Sequence, residues 1–294
     1  MKNQILKLGL PKGSLQEATF KMFKKAGFNL SLPSQRSYFP AIDDPQIQPV
    51  LLRSQEMSRY VQDGALDCGI TGNDWILENK SDVVKITDLV YSKQSLNKVR
   101  WVLAVPEGSG LRSIKDLEGR RVATELVNVT KEYFNKNKVK AEIEFSWGAT
   151  EVKVRSGLVD AIVELTETGS SLRENKLQEI ATILESTTQF IANKGAYKDS
   201  WKKSKMEQIV VLLKGAIAAE EKVGLKMNAR KTDLKKVIAL LPALKNPTIS
   251  GLSQEGWFAI ETIIDEKVVR ILIPELKKAG AEGIIEYPLN KVIY

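Results

Sequence analysis

Asp160-Ala-Ile-Val-Glu-Leu-Thr-Glu-Thr-Gly-Ser-Ser-Leu172 is the most informative stretch of this sequence. Its first half is an apolar run typical of a buried strand, and its second half is a hydroxyl-rich turn from which a helix begins. Such a turn directs free backbone N–H groups and the positive end of a helix dipole into one small concavity. The stretch therefore predicts an α/β fold with an anion site at the end of this strand.

Similar strand–turn–helix units occur on the N-terminal side of this stretch. Alternation of short strands and helices predicts parallel sheets with covered faces. The two series of units meet near residues 88–99, which predicts two lobes with a cleft between them. We assign 1–98 and 187–215 to lobe I, and 99–186 to lobe II. The strands are predicted at 6–10, 49–52, 66–70, 99–105, 121–124, 141–147 and 158–165.

The C-terminal part of the chain has a different order of elements. After a long helix predicted over 200–221, strands and helices follow in the order βαββαβ. This order is typical of the ferredoxin-like arrangement, which ACT-like domains also have. We therefore expect a separate domain over 216–294.

The composition limits the chemistry that the chain can perform. It has no histidine and one cysteine, Cys68, which excludes imidazole acid–base catalysis, Cys-His nucleophiles, multi-thiolate metal sites and internal disulfides. Catalysis must then use carboxylates, lysine, arginine, hydroxyls, backbone amides or a hard cation such as Mg²⁺. Cys68 and the tryptophans Trp101, Trp147 and Trp257 lie in apolar contexts and are expected in the core.

The net charge is +8, from 44 basic and 36 acidic residues. This excess serves either solubility alone or the binding of small polyanions such as nucleotides and phosphosugars. Nucleic acid is not the expected partner, because the basic residues are spread along the chain without interleaved stacking aromatics. We find no signal peptide and no apolar run long enough for a membrane span, so we expect a cytoplasmic protein without a membrane partner.

The turn fits a sugar 5-phosphate. Thr166, Thr168, Ser170 and Ser171 offer hydroxyls, and Gly169 lets the backbone approach a ligand closely. Glu164 and Glu167 can accept hydrogen bonds from ribose hydroxyls and stabilise a cationic, oxocarbenium-like ring when a diphosphate leaves C1. The alternative is a capped loop with solvated acids, and the turn by itself does not exclude it.

Several further motifs occur in a fixed order along the chain. They are Leu8-Gly-Leu-Pro-Lys-Gly-Ser-Leu15, Asp67-Cys-Gly-Ile-Thr-Gly-Asn-Asp74, Val122-Ala-Thr-Glu125, Trp147-Gly-Ala-Thr-Glu-Val-Lys153 and Leu240-Leu-Pro-Ala-Leu-Lys-Asn-Pro-Thr-Ile-Ser250. Together with the stretch from Asp160, they closely resemble the ATP phosphoribosyltransferase family in its long form. The last motif resembles the C-terminal regulatory domain of that form. The resemblance extends over essentially the whole chain.

The resemblance implies a catalytic region with the two lobes of periplasmic-type solute-binding proteins. It also implies that ATP and 5-phosphoribosyl 1-diphosphate are condensed to N1-(5-phosphoribosyl)-ATP and diphosphate with Mg²⁺, as the first step of histidine biosynthesis. L-Histidine and AMP would inhibit, and the chain would form a homohexamer built from dimers.

By this resemblance, the implied catalytic residues are Lys12, Glu164 and Glu167. The implied substrate contacts are Gly13, Gly69, Gly72, Asp74, Thr124, Glu125, Thr166, Thr168, Gly169, Ser170, Ser171 and Leu172. The histidine pocket would contain Asn228, Leu244, Thr248 and Gly283, and the metal ligands stay unassigned.

Two segments depart from the family pattern. Arg53-Ser-Gln-Glu-Met57 lacks the usual Asp-Ile-Pro, which leaves any substrate contact of Arg53 unassigned. Asn228 replaces a frequent acid, so weaker binding of the histidine ammonium is expected. The alternative from another functional class is a solute-sensing module that closes its two lobes on a ligand without chemistry, because a fold does not determine a function.

Overall fold

The computed structural model describes residues 4–34, 36–91, 98–148, 150–242 and 247–294. The chain forms two compact units. The first unit contains the residues up to Lys24 and Phe28–Val210. The second unit contains Lys25–Gly27 and Val211–Tyr294. The predicted domain boundary at residue 216 falls inside a long helix, α8 (Ser200–Ala218).

Lobe I, in the first unit, is built on a five-stranded sheet with strand order β4-β1-β5-β12-β6. Strands β4 and β5 run parallel to β1, whereas β12 runs antiparallel to both its neighbours. The elements are β1 (Leu6–Lys12), α1 (Gln16–Ala26), β2 (Leu30–Ser31), β3 (Ala41–Ile42), β4 (Ile47–Arg53), α2 (Ser54–Gln62), β5 (Cys68–Gly72), α3 (Asn73–Glu78) and β6 (Val84–Leu89), and after lobe II β12 (Thr188–Ala192) and α7 (Lys194–Lys198).

Lobe II has a second five-stranded sheet with strand order β11-β7-β10-β8-β9. Strand β10 is parallel to β8 and antiparallel to β7, which in turn pairs antiparallel with β11. The elements are β7 (Val99–Pro106), a 3-10 helix (Ile114–Leu117), β8 (Arg121–Thr124), α4 (Val127–Lys136), β9 (Glu142–Phe145), α5 (Thr150–Arg155), β10 (Ala161–Thr166), α6 (Ser170–Glu174) and β11 (Leu177–Ser186).

The predicted parallel sheets are found only in part, because both sheets are mixed: β1 is parallel to β4 and β5, and β8 is parallel to β9 and β10, whereas the other pairings are antiparallel. The antiparallel strands β11 and β12 lie in the segment by which the chain leaves lobe II and returns to lobe I. Antiparallel pairing needs no crossover helix, so these two consecutive strands add to the two sheets, one to each, without one. The strand predicted over 158–165 also begins later, at Ala161.

The second unit contains a four-stranded antiparallel sheet with strand order β14-β15-β13-β16. Its elements are β13 (Lys222–Arg230), α9 (Leu234–Leu240), β14 (Thr248–Gly251), β15 (Trp257–Asp265), α10 (Glu266–Lys278) and β16 (Glu282–Pro288). The apolar faces of both helices pack on the sheet around Leu225, Met227, Val237 and Leu276. The predicted ferredoxin-like order βαββαβ and the α/β fold class are confirmed.

The core contains most of the apolar residues that were expected there. Cys68 and Trp101 are buried, as predicted. The prediction for Trp147 is wrong, since its side chain is 70% exposed. Strand β9 ends at Phe145 and lies at the edge of its sheet, so the chain has already left the core when it reaches Trp147. In the described part of the chain, no helix is both long and apolar enough to span a bilayer.

Candidate active site

A cavity of about 280 Å³ lies between the two lobes. Lobe I contributes two cations, Lys12 from the end of β1 and Arg53 from the end of β4. Lobe II contributes three carboxylates, Glu125, Glu164 and Glu167. Because β1 and β4 are parallel, their carboxyl ends meet at one edge of the sheet, where ligands of open α/β sheets bind. Apart from the buried Asp74 of lobe I, the charged lining of the cavity is therefore bipolar, with positive charge on the lobe I wall and negative charge on the lobe II wall.

The Lys12 amine lies 3.5 Å from the centre of the Tyr38 ring, within the range of a cation–π contact. Gly13 follows with φ +103°, a backbone conformation that glycine adopts without strain. Gly13 itself lines a separate, open pocket between α1 and β2. A side chain at position 13 would come within 3.7 Å of Arg53 Nη1. Lys12 and Arg53 are themselves register partners at the ends of β1 and β4, so the two residues lie side by side.

Glu164 is a carboxyl group of the cavity whose pKa departs strongly from its usual value. Burial, together with the like charges of Glu151 and Glu125, raises the pKa of Glu164 to about 7, although a hydrogen bond from the Thr150 hydroxyl opposes the shift. A carboxyl group with a pKa near neutrality is typical of functional sites. Near pH 7, Glu164 exchanges a proton with its surroundings, which gives the acidic wall a titratable charge.

The turn after β10 has the geometry expected of a strand-to-helix anion site. Gly169 has φ +73° and precedes α6. Its amide donates to Thr166 Oγ1 at 2.8 Å, and Arg173 Nη1 donates to the Thr168 carbonyl at 3.1 Å. The first amides of a helix have no intrahelical acceptor. The turn therefore presents α6 amides, with the guanidinium of Arg173 fixed beside them.

The hydroxyls of this turn already have partners. Thr168 Oγ1 donates to Ser170 Oγ at 3.1 Å, and Ser171 Oγ donates to Glu151 Oε1 at 2.8 Å. The Leu172 side chain packs in the core of lobe II with Ile162 and Leu177. A phosphate bound here would replace Ser170 as the acceptor of the Thr168 hydroxyl and Glu151 as the acceptor of the Ser171 hydroxyl, and it would contact Leu172 through its backbone.

The other residues predicted to bind substrate divide into two groups. Gly72, Asp74 and Glu125 line the cavity. Gly69 and Thr124 do not: a side chain at Gly69 would lie 2.8 Å from Met57 Sδ, and the buried Thr124 Oγ1 accepts the Leu126 amide at 3.0 Å. In this structure the last two serve packing and turn formation.

Asp74 lines the cavity but is only 4% exposed. Its Oδ2 accepts the Trp101 indole N–H at 2.7 Å, and its Oδ1 accepts the Trp75 amide at 3.0 Å. Burial raises the pKa of Asp74, while these hydrogen bonds act in the opposite direction. Both carboxylate oxygens are thus occupied by protein donors.

The sequence reasoning missed Glu151 and Gln55. Glu151 connects the turn to Glu164 through its hydrogen bond to Ser171 and its charge, and Gln55 Nε2 reaches Glu125 Oε2 across the cleft at 3.4 Å. Glu151 stands inside the matching stretch Trp147-Gly-Ala-Thr-Glu-Val-Lys153, whereas Gln55 stands inside Arg53–Met57, a segment that departs from the family pattern. The place of Glu151 in that motif was the available sequence signal for this residue.

In the second unit, Asn228 and Gly283 are neighbours. Gly283 has φ +58°, and a side chain there would lie 3.6 Å from Asn228 Nδ2. Thr248 lies on β14, which is separated from β16 by two strands. Leu244 lies outside the described residues.

Comparison with known proteins agrees with these features. The model of the family described as ATP phosphoribosyltransferase matches residues 53–215, and that of the HisG C-terminal domain matches 219–291. The chain belongs to the ATP phosphoribosyltransferase family. Family members are pentosyltransferases of histidine biosynthesis, and the two matches together identify the long form, with its C-terminal domain.

Individual relatives of this family match the chain over nearly its whole length. The ATP phosphoribosyltransferase of Chlorobaculum parvum is 60% identical over 99% of this chain and 98% of its own. That of Thermodesulfovibrio yellowstonii is 60% identical over the full length of both chains. A solved structure, the ATP phosphoribosyl transferase (HisG:HisZ) complex from Thermotoga maritima, superposes with a TM-score of 0.61 at 29% identity, over 71% of this chain and 98% of the other.

Proposed function

We propose that the chain condenses ATP with 5-phosphoribosyl 1-diphosphate in the cavity between its two lobes, releasing diphosphate and N1-(5-phosphoribosyl)-ATP. The bipolar lining of the cavity is the observation that carries this proposal. In the reaction, the bond from C1 to the diphosphate oxygen breaks, and adenine N1 forms a bond to C1. Negative charge grows on the leaving group while positive charge grows on the ribose ring, and the two walls have the opposite signs that these charges require.

The acidic wall faces the ribose in this proposal. Glu164 and Glu167 accept hydrogen bonds from the ribose hydroxyls and stabilise the cationic ring, and Glu125 lies beside them. The turn Thr166–Leu172 binds the 5-phosphate through the α6 amides and the hydroxyls of Thr168, Ser170 and Ser171. Gly169 keeps the backbone accessible to the phosphate oxygens.

The basic wall faces the diphosphate and the triphosphate of ATP. Lys12 and Arg53 approach this side of the cavity from two neighbouring parallel strands. Cations fixed in place before the reaction stabilise the leaving group without reorganisation at the moment of bond cleavage. Arg53 thereby has a role although its surrounding sequence departs from the family pattern.

The family typically uses a divalent metal, and we propose Mg²⁺. Among the described residues, no group of three acids is arranged to hold a metal ion. The carboxylates of Glu125 and Glu167 are nevertheless hard oxygen donors within the cavity, which suits a Mg²⁺ ion that keeps most of its ligands from water and phosphate. When bound, the ion would neutralise charge on the departing diphosphate.

The test of the catalytic proposal is direct. Purified protein is incubated with ATP, 5-phosphoribosyl 1-diphosphate and Mg²⁺, and the absorbance of an N1-substituted adenine nucleotide is followed together with diphosphate release. We expect both products in equal amounts. Binding of either substrate without product formation would instead favour the solute-sensing alternative. Omission of the metal should stop the reaction.

We further propose that the second unit is the module through which L-histidine inhibits, with AMP competing in the cavity. Asn228 and Gly283 adjoin within one sheet. Thr248 is three strand spacings away from Gly283, on the order of 14 Å at ~4.8 Å per strand. A pocket that uses all of these residues therefore needs sheet edges from two copies of the chain, which agrees with the proposed homohexamer built from dimers.

Histidine binding by the full chain should then depend on assembly. Calorimetric titration and light scattering across a range of protein concentrations would measure both. Equal histidine affinity in monomer and oligomer would contradict a shared pocket. A cytoplasmic location stays a prediction.

A further inference from the structure

Helix α3 belongs to lobe I, yet both of its ends are hydrogen-bonded to lobe II. At its start, Asp74 accepts the Trp101 indole N–H at 2.7 Å, and the Asp74 amide donates to Ser186 Oγ at 3.0 Å. At its end, the Glu78 carboxylate accepts the amides of Asn128 at 2.9 Å and Val129 at 3.0 Å. One short helix thus joins the two lobes at two points.

The contact at Asp74 is shielded from solvent. The Trp75 ring packs edge-on against the Trp101 ring, with the ring centres 6.0 Å apart. Loss of one partner from a buried charged hydrogen bond leaves the other without compensation, which costs more than the bond itself contributes. Separation of the lobes at this point would expose Asp74 and Trp101 together.

The contact at Glu78 caps a helix of the other lobe. The first amides of α4 need an acceptor from outside the helix, and a carboxylate at this end also interacts favourably with the helix dipole. Both Glu78 oxygens are used, one for each amide. The Asn128 side chain returns a third bond to the Glu78 carbonyl at 2.9 Å.

Both contacts lead directly to the acids of the cavity. Helix α4 begins two residues after Glu125, so the Glu78 contact fixes the segment that carries this acid. Trp101 pairs with Leu165 across β7 and β10, next to Glu164. The two ends of α3 therefore set where the acidic wall stands relative to Lys12 and Arg53.

We propose that α3 is an interlobe clasp, in which Asp74 and Glu78 are positioning residues that hold the acidic wall of lobe II opposite the basic wall of lobe I. The kinetic consequence rests on the proposed function, whereas the geometric consequence does not. An exposed ion pair between Lys80 and Glu132 also joins the lobes, with side chains 64% and 66% exposed, and supplies a control because such pairs contribute little.

The kinetic test uses Trp101→Phe, which removes the indole N–H, and Glu78→Ala, which removes both caps. If the clasp keeps the lobes closed, its loss lowers the binding-competent fraction and raises KM for both substrates. A fall of that fraction to about a tenth raises KM ~10-fold, while kcat changes less because bound substrates close the lobes again. Glu78→Gln keeps one acceptor oxygen and should be intermediate. Glu132→Gln should match the parent chain.

The geometric test measures the distance between the lobes by pulsed electron resonance. Spin labels are placed on Asp63→Cys and Asn135→Cys, which replace exposed residues, and labelled chains are diluted with unlabelled ones. Cys68 is buried and should stay unlabelled. Trp101→Phe and Glu78→Ala should broaden the distance distribution and lengthen its mean, and Glu132→Gln should leave it unchanged. Circular dichroism establishes that each variant is folded.

Each outcome has a definite meaning. A broader distribution together with a raised KM supports the clasp. An unchanged distribution overturns it, even if KM rises, since the residues would then act on substrate directly. A broader distribution with unchanged KM overturns the positioning role. If the parent chain has no transferase activity, the proposed function fails while the distances still decide whether α3 joins the lobes.

Discussion

The two strand-to-helix turns of the candidate active site share a backbone design and differ in the charge of the residues beside them. Both the turn after β1 and the turn after β10 contain a glycine with positive φ, Gly13 at +103° and Gly169 at +73°. The first places Lys12 at the cavity next to Arg53, whereas the second follows Glu164 and Glu167. The same local geometry thus stands beside charges of opposite sign, and in the proposed function the acids before Gly169 face the ribose, whereas Lys12 faces the leaving diphosphate.

The largest effect on catalysis is expected at Lys12, the cation that we assign to the leaving diphosphate. Lys12→Met should lower kcat/KM about 100-fold, as expected for the loss of one preorganised group that stabilises transition-state charge. Lys12→Arg should retain part of the activity. The matched control is Lys7→Met, since Lys7 is an exposed lysine on the same strand. Steady-state kinetics would decide, and equal loss in both methionine variants would remove the special role of Lys12.

A smaller effect is expected at the second turn. Gly169→Val should weaken the use of 5-phosphoribosyl 1-diphosphate at least ~10-fold, about 1.4 kcal/mol, because the side chain blocks phosphate approach and strains the backbone. Gly157→Val is the control. Gly157 also has positive φ, at +68°, but nothing lies near its absent side chain. If KM for the phosphosugar changes equally in both variants, strain alone explains the loss and the turn does not bind phosphate.

Much of this comparison could be predicted from the sequence, because each turn is encoded within a few neighbouring residues. The ferredoxin-like order was predictable for the same reason. Strand β11 was not, since its pairing with β7 has register shifts near Ile180 and Ile183 that interrupt the alternation of apolar residues. The contacts of Asp74 with Trp101 and of Glu78 with Asn128 join residues that are 27 and 50 positions apart in the sequence. A local sequence pattern cannot predict such long-range pairs.

The third effect concerns stability and tests the acidic wall. The pKa of Glu164 is raised from 4.5 to about 7 in the folded chain, so the folded state holds this proton more tightly than the unfolded state. Its favourable contribution is complete below pH 4.5 and is lost as the pH rises through about 7. After allowance for partial exposure, the loss should be about 1 kcal/mol. Denaturant unfolding at pH 5 and pH 8 would compare the parent chain with Glu164→Gln, which should lack this component.

The smallest effect should come from Glu151, which touches both the phosphate turn and the acidic wall. Its charge helps to raise the pKa of Glu164, and its Oε1 accepts a hydrogen bond from Ser171. Glu151→Gln removes the like charge, so the pKa of Glu164 should fall and the acid limb of the rate profile should move to lower pH. Activity at pH 6 should then rise about 2- to 3-fold, because more Glu164 is ionised there.

Glu144→Gln is the control, since Glu144 is an acid of lobe II that pairs with Arg121. A pH profile that moves equally in both variants would mean that general surface charge, rather than the contact between turn and wall, sets the titration of Glu164. A shift confined to Glu151→Gln would show that the phosphate turn and the acidic wall behave as one electrostatic unit. Among the described residues, the turn after β1 has no such coupling to acids.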